Sequence, residues 1–254
     1  MATDNTNIVN YTDDNIKTME GVEHIRKRPG MYIGRLGNGD DQGDGIYVLL
    51  KEVVDNSIDE FSMGFGKQIQ ITVTEKEATV RDFGRGIPLN SVVKAVSVLN
   101  TGGKYDTKGY KKSVGLNGVG LKAVNATSTH FEVRSYRDGV VRIAKFEKGI
   151  LVSDTTEKTN DENGTYISFT PDNSLYRNYE FRDAYIETLL RNYTYLNTGL
   201  TIMFNGKRIL SRNGLVDLLS DRMTADPMYP IIHLKGDDIE IAITHAQQYG
   251  EEYH

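Results

Sequence analysis

Between residues 130 and 170 the chain offers four strand-like runs, 130–137, 140–147, 150–155 and 164–170, with little sequence between them. Parallel neighbours need a crossover of a dozen residues or more, so runs this closely spaced fold back as hairpins. Two more runs, Gln68–Thr74 and Thr79–Phe83, form a pair joined near residues 75–77. Asn205-Gly206 between Leu200–Phe204 and Lys207–Leu210 is a strong two-residue hairpin signal. Hairpins therefore dominate over strand–helix–strand alternation. The expected fold class is α+β, a sandwich whose mixed, mostly antiparallel sheet is covered by helices on one face.

The helices come from apolar spacing. Ile46, Leu49, Leu50, Val53, Val54, Ile58 and Phe61 keep a helical period over about Ile46–Met63, which Gly64 and Gly66 end. A short helix is expected over Asn90–Asn100 with Asn90 as a possible cap, and another over Asn117–Thr127, opening on glycines. Phe181–Leu196 and Leu215–Arg222 complete the set, and the runs 229–234 and 238–246 look like strands. Residues 1–18 read as a polar arm, residues 26–45 as an irregular loop, and Thr101–Val114 as a glycine-bearing stretch too long for a plain turn. A composition shift near Ser211–Gly214 marks a domain boundary. The chain stops directly after a strand-like run, from which an incomplete second domain is expected.

Composition removes several classes of function. With no cysteine there is no disulfide scaffold, thiolate zinc site, iron–sulfur cluster or thiol nucleophile, which also fits a reducing compartment. A net charge of -5 argues against a module devoted to gripping nucleic-acid backbone. No apolar run approaches the roughly 18 residues of a membrane span, and the polar N-terminus lacks a signal-peptide core. Sequons such as Asn163-Gly164-Thr165 are therefore expected to stay unglycosylated. Gly115 and Gly120 have P-loop spacing, but Leu121 stands where lysine is required. No dinucleotide-binding glycine triple follows a strand, Asp82-Phe83-Gly84 lacks the companion kinase motifs, the five histidines show no zinc spacing, and no Gly-x-Ser-x-Gly elbow occurs.

Three patterns carry chemistry. On the first long helix Glu52, Asn56 and Glu60 fall within about 80° of one another, beside Asp59. Such a stripe is a solvated flank on a generic helix, yet asparagine is a poor mid-helix residue. A carboxamide one turn from a carboxylate suits a Mg²⁺ that keeps waters and phosphate ligands, with Glu52 as general base on an attacking water. Second, the strand Val80-Arg81-Asp82 runs into Phe83-Gly84-Arg85-Gly86-Ile87-Pro88. A carboxylate at a strand end can accept from an exocyclic amine and the glycines admit a flat ring, although a plain turn has the same pattern. Third, Thr101-Gly102-Gly103-Lys104 and Val114-Gly115-Leu116-Asn117-Gly118-Val119-Gly120-Leu121 read as an anion cradle to which Lys104 and Lys122 add charge, or as flexible loop. Sixteen of the 25 glycines lie between Gly30 and Gly120, where they serve either loops or close ligand approach.

In this order the three patterns resemble the Bergerat ATP-binding fold of type II DNA topoisomerases, mismatch-repair MutL proteins, ATP-dependent heat-shock chaperones and sensor histidine kinases. Arg26-Lys27-Arg28-Pro29-Gly30-Met31-Tyr32-Ile33-Gly34, the run from Glu52 to Glu60, Gly102-Gly103-Lys104-Tyr105 and Val124-Asn125-Ala126 resemble bacterial type IIA topoisomerase B subunits more closely. The likeness runs from about Tyr11 to the chain end. The stretch between Pro88 and Thr101 lacks the insertion that resembles gyrase, so the likeness inclines to the topoisomerase IV branch.

The resemblance implies an ATP-hydrolysing clamp that dimerises on ATP binding, with ATP and Mg²⁺ as cofactors, Glu52 as the general base and Asn56 as the Mg²⁺ ligand. Asp82 receives the adenine amino group, with Thr165 beside it through water. Arg85 and Glu60 pair over the adenine edge, Gly86 and Ile87 continue that edge, and Pro88 sits at the pocket mouth. Gly102, Gly103, Lys104 and Tyr110 fall in a loop closing over nucleotide. Gly115, Leu116, Asn117, Gly118, Val119, Gly120 and Leu121 form the phosphate loop. Tyr11 belongs to an arm that reaches the partner subunit's nucleotide. Implied partners are a second copy of the B-type chain, the topoisomerase A-type chain and DNA, with no membrane, and the implied location is cytoplasmic. The domains are expected as an arm over 1–18, an ATP-binding domain over 19–212 and a partial transducer over 213–254. Three departures stand out. Asn117 replaces a usual histidine, Arg142-Ile143-Ala144-Lys145 differs where gyrase carries an arginine, and the chain ends before the transducer lysine, as expected of an N-terminal piece. The alternative is a nucleotide-binding module of the same superfamily without turnover.

Overall fold

The computed structural model describes residues 21–99, 101 and 118–247. Its helices are α1 (Gly21–Lys27), α2 (Gly30–Ile33), α3 (Gly45–Ser62), α4 (Val92–Ser97, after a 3₁₀ turn at Leu89–Ser91), α5 (Gly120–Ala126), α6 (Asp183–Leu196) and α7 (Leu215–Arg222). The strands are β1 (Gln68–Val73), β2 (Ala78–Asp82), β3 (Ser128–Arg137), β4 (Val140–Glu147), β5 (Ile150–Lys158), β6 (Gly164–Pro171), β7 (Thr201–Phe204) and β8 (Lys207–Ile209), followed by β9 (Ile232–Lys235) and β10 (Glu240–Ile243). The first eight form one sheet in the order β5-β4-β3-β6-β2-β1-β7-β8, and β9 and β10 form a separate hairpin. In the large sheet β1 and β7 pair parallel and the other neighbours antiparallel. This is the mixed, mostly antiparallel sheet expected from the hairpin spacing. The Asn205-Gly206 turn between β7 and β8 has φ of 45° and 81°, the two positive values a tight hairpin turn requires.

Strand periodicity decides which side chains meet the helices. Ile69, Ile71 and Val73 of β1, and Ala78 and Val80 of β2, turn into the core, while Gln70 and Thr72 turn outward. Asp82 continues the inward set of β2, so a carboxylate occupies a core-facing position at the strand end. Opposite it, α3 buries Ile46, Leu49, Leu50, Val53, Val54 and Ile58. Val92 and Val96 of α4, and Ala123, Val124 and Ala126 of α5, complete the layer with the buried rings of Phe131, Phe146, Phe169 and Phe204.

Residues 26–45 depart from the irregular loop expected there: they contain the end of α1 and all of α2. Each is too short to show a period. Tertiary contacts hold them instead, through the buried Ile25 and Ile33 and through Arg26, whose guanidinium donates to the Ala126 carbonyl and to Asp172 Oδ2, both at 2.7 Å. The helix expected over Asn90–Asn100 is trimmed to Val92–Ser97, and Asn90 lies in the 3₁₀ turn that precedes it.

Candidate functional site

The site is strung along α3. Asn56 lies one turn after Glu52 and donates its Nδ2 to the Glu52 carbonyl at 2.6 Å, which fixes the carboxamide against the helix. The Glu52 carboxylate packs on Gly120, the first residue of α5: a Cβ built at Gly120 would overlap Oε2. The missing side chain at residue 120 is therefore what lets an acid on one helix lie against the start of another. A carboxylate in that position can take a proton from a neighbouring water, and the carboxamide oxygen one turn on is a hard ligand.

Ser57 turns the same helix toward the sheet, where its Oγ lies 3.4 Å from Asp82 Oδ2. Oδ1 of Asp82 accepts two backbone N–H bonds, from Gly84 at 2.9 Å and Thr165 at 3.1 Å. The side chain is 5% exposed, and burial pushes its carboxyl up to about 6, more than those two bonds and the Arg81 charge pull it down. The carboxylate thus offers an acceptor at a strand end in surroundings that disfavour its charge. Such a group is a candidate for binding a donor.

At the last turn of α3 Glu60 holds Arg85. Its Oε2 accepts from the Arg85 backbone N–H at 2.9 Å and Nε at 3.1 Å, and Oε1 accepts from Nη2 at 2.9 Å. The guanidinium lies over the Phe65 ring at 4.4 Å. A side chain at Gly84 would come within 2.8 Å of the Glu60 Cβ, so this acid also meets a glycine chosen for space. The segment that follows is held by β3. Ser135 Oγ donates to the Ile87 carbonyl at 2.6 Å, and Arg137 Nη1 to the Gly86 carbonyl at 3.4 Å. Pro88 opens the 3₁₀ turn, its carbonyl accepting from the Ser91 N–H at 2.7 Å. Arg142, on the stretch that departs from the gyrase pattern, donates to the Leu89 carbonyl at 2.6 Å and forks onto Asp154 at 2.9 and 2.6 Å.

The Glu52 carboxylate and Gly120 thus meet one turn before Asn56, and Asp82 meets Thr165 beside Ser57. Glu60 and Arg85 meet at the end of α3. Thr165 reaches Asp82 through its backbone N–H. Gly118 and Val119 lead into α5, and Leu121 packs on the core. Lys122, offered by the sequence as a phosphate-facing charge, is buried and donates to the Thr101 carbonyl at 2.5 Å. Tyr11, Gly102, Gly103, Lys104, Tyr110, Gly115, Leu116 and Asn117 lie outside the described residues. Sequence inspection missed Ser57, Ser135 and Arg137. Each acts across a distance of 25 or more positions, so only strand and helix phase could have flagged them.

Three comparisons show what the chain is similar to. Residues 41–175, more than half of the chain, match the family described as histidine kinase-, DNA gyrase B-, and HSP90-like ATPase. The chain is 45% identical over 245 residues to the B subunit of DNA topoisomerase 4 from Borreliella burgdorferi, covering 96% of this chain and 41% of that protein. It is 35% identical over 267 residues to the B subunit of DNA gyrase from Helicobacter pylori, with 95% of this chain and 34% of that protein covered. The chain therefore spans well under half the length of these relatives. Among solved structures, the 43K ATPase domain of Thermus thermophilus gyrase B, crystallised with an aminocoumarin, superposes with a TM-score of 0.70 at 25% identity, covering 91% of this chain and 64% of that one. The family match covers more than half of the chain, and the chain belongs to the histidine kinase-, DNA gyrase B- and HSP90-like ATPase family.

Proposed function

We propose that the chain binds ATP along α3 and hydrolyses it as the clamp region of a type IIA DNA topoisomerase, in the B-type chain. The observation that carries this is the Glu52 carboxylate packed on Gly120, one turn from Asn56. Glu52 takes a proton from water as the water oxygen attacks the γ-phosphorus. The bond to the β-phosphate oxygen breaks, and ADP and inorganic phosphate leave. Asp82 accepts from the adenine amino group, with Thr165 beside it, while the Glu60–Arg85 pair lies over the adenine edge with Gly86, Ile87 and Pro88. Gly118, Val119, Gly120 and Leu121 belong to the phosphate loop, which continues into residues outside those described. Asn56 would hold Mg²⁺, which neutralises phosphate charge. A lone carboxamide fits an ion that takes its other ligands from phosphate and water, and among the described residues no cluster of three acids or histidines offers a self-sufficient metal site.

The topoisomerase role is supported by the names of the relatives at 45% and 35% identity. It brings with it a second copy of the B-type chain, the A-type chain, DNA and a cytoplasmic location. The domain reading is an arm over 1–18, an ATP-binding domain over 19–212 and the start of a transducer over 213–254. Among the described residues no helix is long and apolar enough to cross a membrane. The test is Glu52→Gln, which keeps the shape and removes the base. Single-turnover hydrolysis should fall about 10²–10⁴-fold while calorimetric affinity for ATP is unchanged. Undiminished hydrolysis by the variant would refute the base, and binding without hydrolysis by the unaltered chain would leave it a nucleotide-binding module.

A further inference from the structure

Arg81 works on the site from behind. Val80 and Asp82 turn into the core, so Arg81 emerges on the opposite face of the sheet, where its guanidinium lies on Tyr136 at 4.3 Å and Phe83 at 4.8 Å. From there it reaches back to the main chain, with Nη1 donating to the Asp82 carbonyl and Nη2 to the Glu162 carbonyl at 2.5 Å. Gly164 sits inside this knot at a φ of 138°, and a Cβ there would overlap both the Asp82 carbonyl oxygen and Nη1. The next residue, Thr165, gives its N–H to Asp82 Oδ1 at 3.1 Å. One guanidinium thus joins the end of β2 to the turn that starts β6, and those are the two segments that present Asp82 and Thr165.

We propose that Arg81 is a positioning residue for base recognition: by clasping the Asp82 and Glu162 carbonyls it sets the Asp82 carboxylate against Thr165 and sharpens selection for a purine carrying an exocyclic amine. It rests on the role proposed above for Asp82. The planar guanidinium donates from two separate nitrogens while lying on two rings, and a single ammonium nitrogen does not reproduce that pre-set fork. The guanidinium also walls a cavity of about 640 Å³ with Gln70, Thr72, Arg134 and Tyr166, so a shorter side chain opens onto that cavity and leaves the core packed.

The test compares calorimetric affinities for ADP and for purine riboside diphosphate, which differs only in lacking the 6-amino group. The unaltered chain should prefer ADP by about tenfold or more, the scale of one hydrogen bond to a buried carboxylate. Arg81→Gln should weaken ADP about tenfold and leave the amine-free nucleotide unchanged, so that the preference collapses. Arg81→Lys should follow it, and decides the matter if Arg81→Gln gives no cooperative melt. Equal weakening of both nucleotides, or no change in either, overturns the role of Arg81. If the unaltered chain shows no preference for ADP, the role of Asp82 itself fails, and Arg81 with it.

Discussion

Asp82 shows how one residue can be costly to the fold and useful to the site. Its folded pKa of about 6 lies above the ordinary 3.8 because burial penalises its charge. Between those values the folded chain holds more protons than the unfolded one. Asp82 therefore contributes stability that is full below 3.8 and lost as pH rises through about 6, a cost near neutrality of about 3 kcal/mol. Asp172 has the opposite sign. Burial would raise it, but Arg26 and the Ser174 N–H hold its carboxyl well below the usual range, so its contribution is present above 3.8 and fades only in strong acid. If Asp82 accepts from adenine, ATP affinity should decline as pH falls through about 6, and Asp82→Asn should remove that step. Calorimetric titration from pH 7.5 to 5 measures it, and an identical decline in the variant would assign the step elsewhere. Gly37, in a stretch for which sequence offered only a loop, also acquires a reason. Asp44 is buried and accepts from Arg35 Nε at 2.8 Å and the Gly39 N–H at 2.9 Å, and a side chain at Gly37 would overlap its carboxylate.

Among the elements, α3 is held from outside as well as by its own core. Tyr193 of α6 donates its hydroxyl to Asp55 Oδ1, and Lys51, one turn before Asp55, bonds Oδ2 at 2.6 Å. Burial, followed by the Asp55 charge, raises the Tyr193 hydroxyl well above its ordinary pKa, so the phenol stays protonated and donating. Tyr193 and Lys51 thus satisfy a buried acid adjacent in sequence to Asn56. Tyr193→Phe keeps the ring and deletes one hydrogen bond to that acid. It should cost about 1–3 kcal/mol, or roughly 2–10 °C in melting temperature, as measured by calorimetry. An unchanged melting temperature would mean that solvent or Lys51 alone satisfies Asp55. The register of α6 matters beyond this bond, because Tyr195 donates to Asp221 of α7 and so ties α6 to the segment that follows the ATP-binding sheet.

At the scale of the whole molecule, charge sets what this length of chain does alone. Thirty basic and 35 acidic residues leave it at -5, and phosphate-backbone binding requires net neutralisation of many phosphates. The 254-residue chain should therefore form no submicromolar complex with linear duplex DNA near 0.1 M salt. An electrophoretic shift assay checks this. A tight complex that weakens steeply with added salt would reveal a basic surface that outweighs the net charge.

The sequence by itself determined the class of the fold and the order of its elements from α3 onward. The close spacing of the runs after residue 128, the Asn205-Gly206 turn and the apolar period of α3 are local signals that need no partner to be read. It also placed Glu52, Asn56 and Glu60 on one side of α3, because 100° per residue leaves no choice. Only tertiary structure decided that Gly120 makes room for Glu52, that Gly84 makes room for Glu60, and that Ser57 faces Asp82. The same holds for α1 and α2, which the sequence left as loop, and for Lys122, which turns to the Thr101 carbonyl. Backbone periodicity is written locally, whereas close approach depends on what an element about 20 to 70 residues away leaves empty.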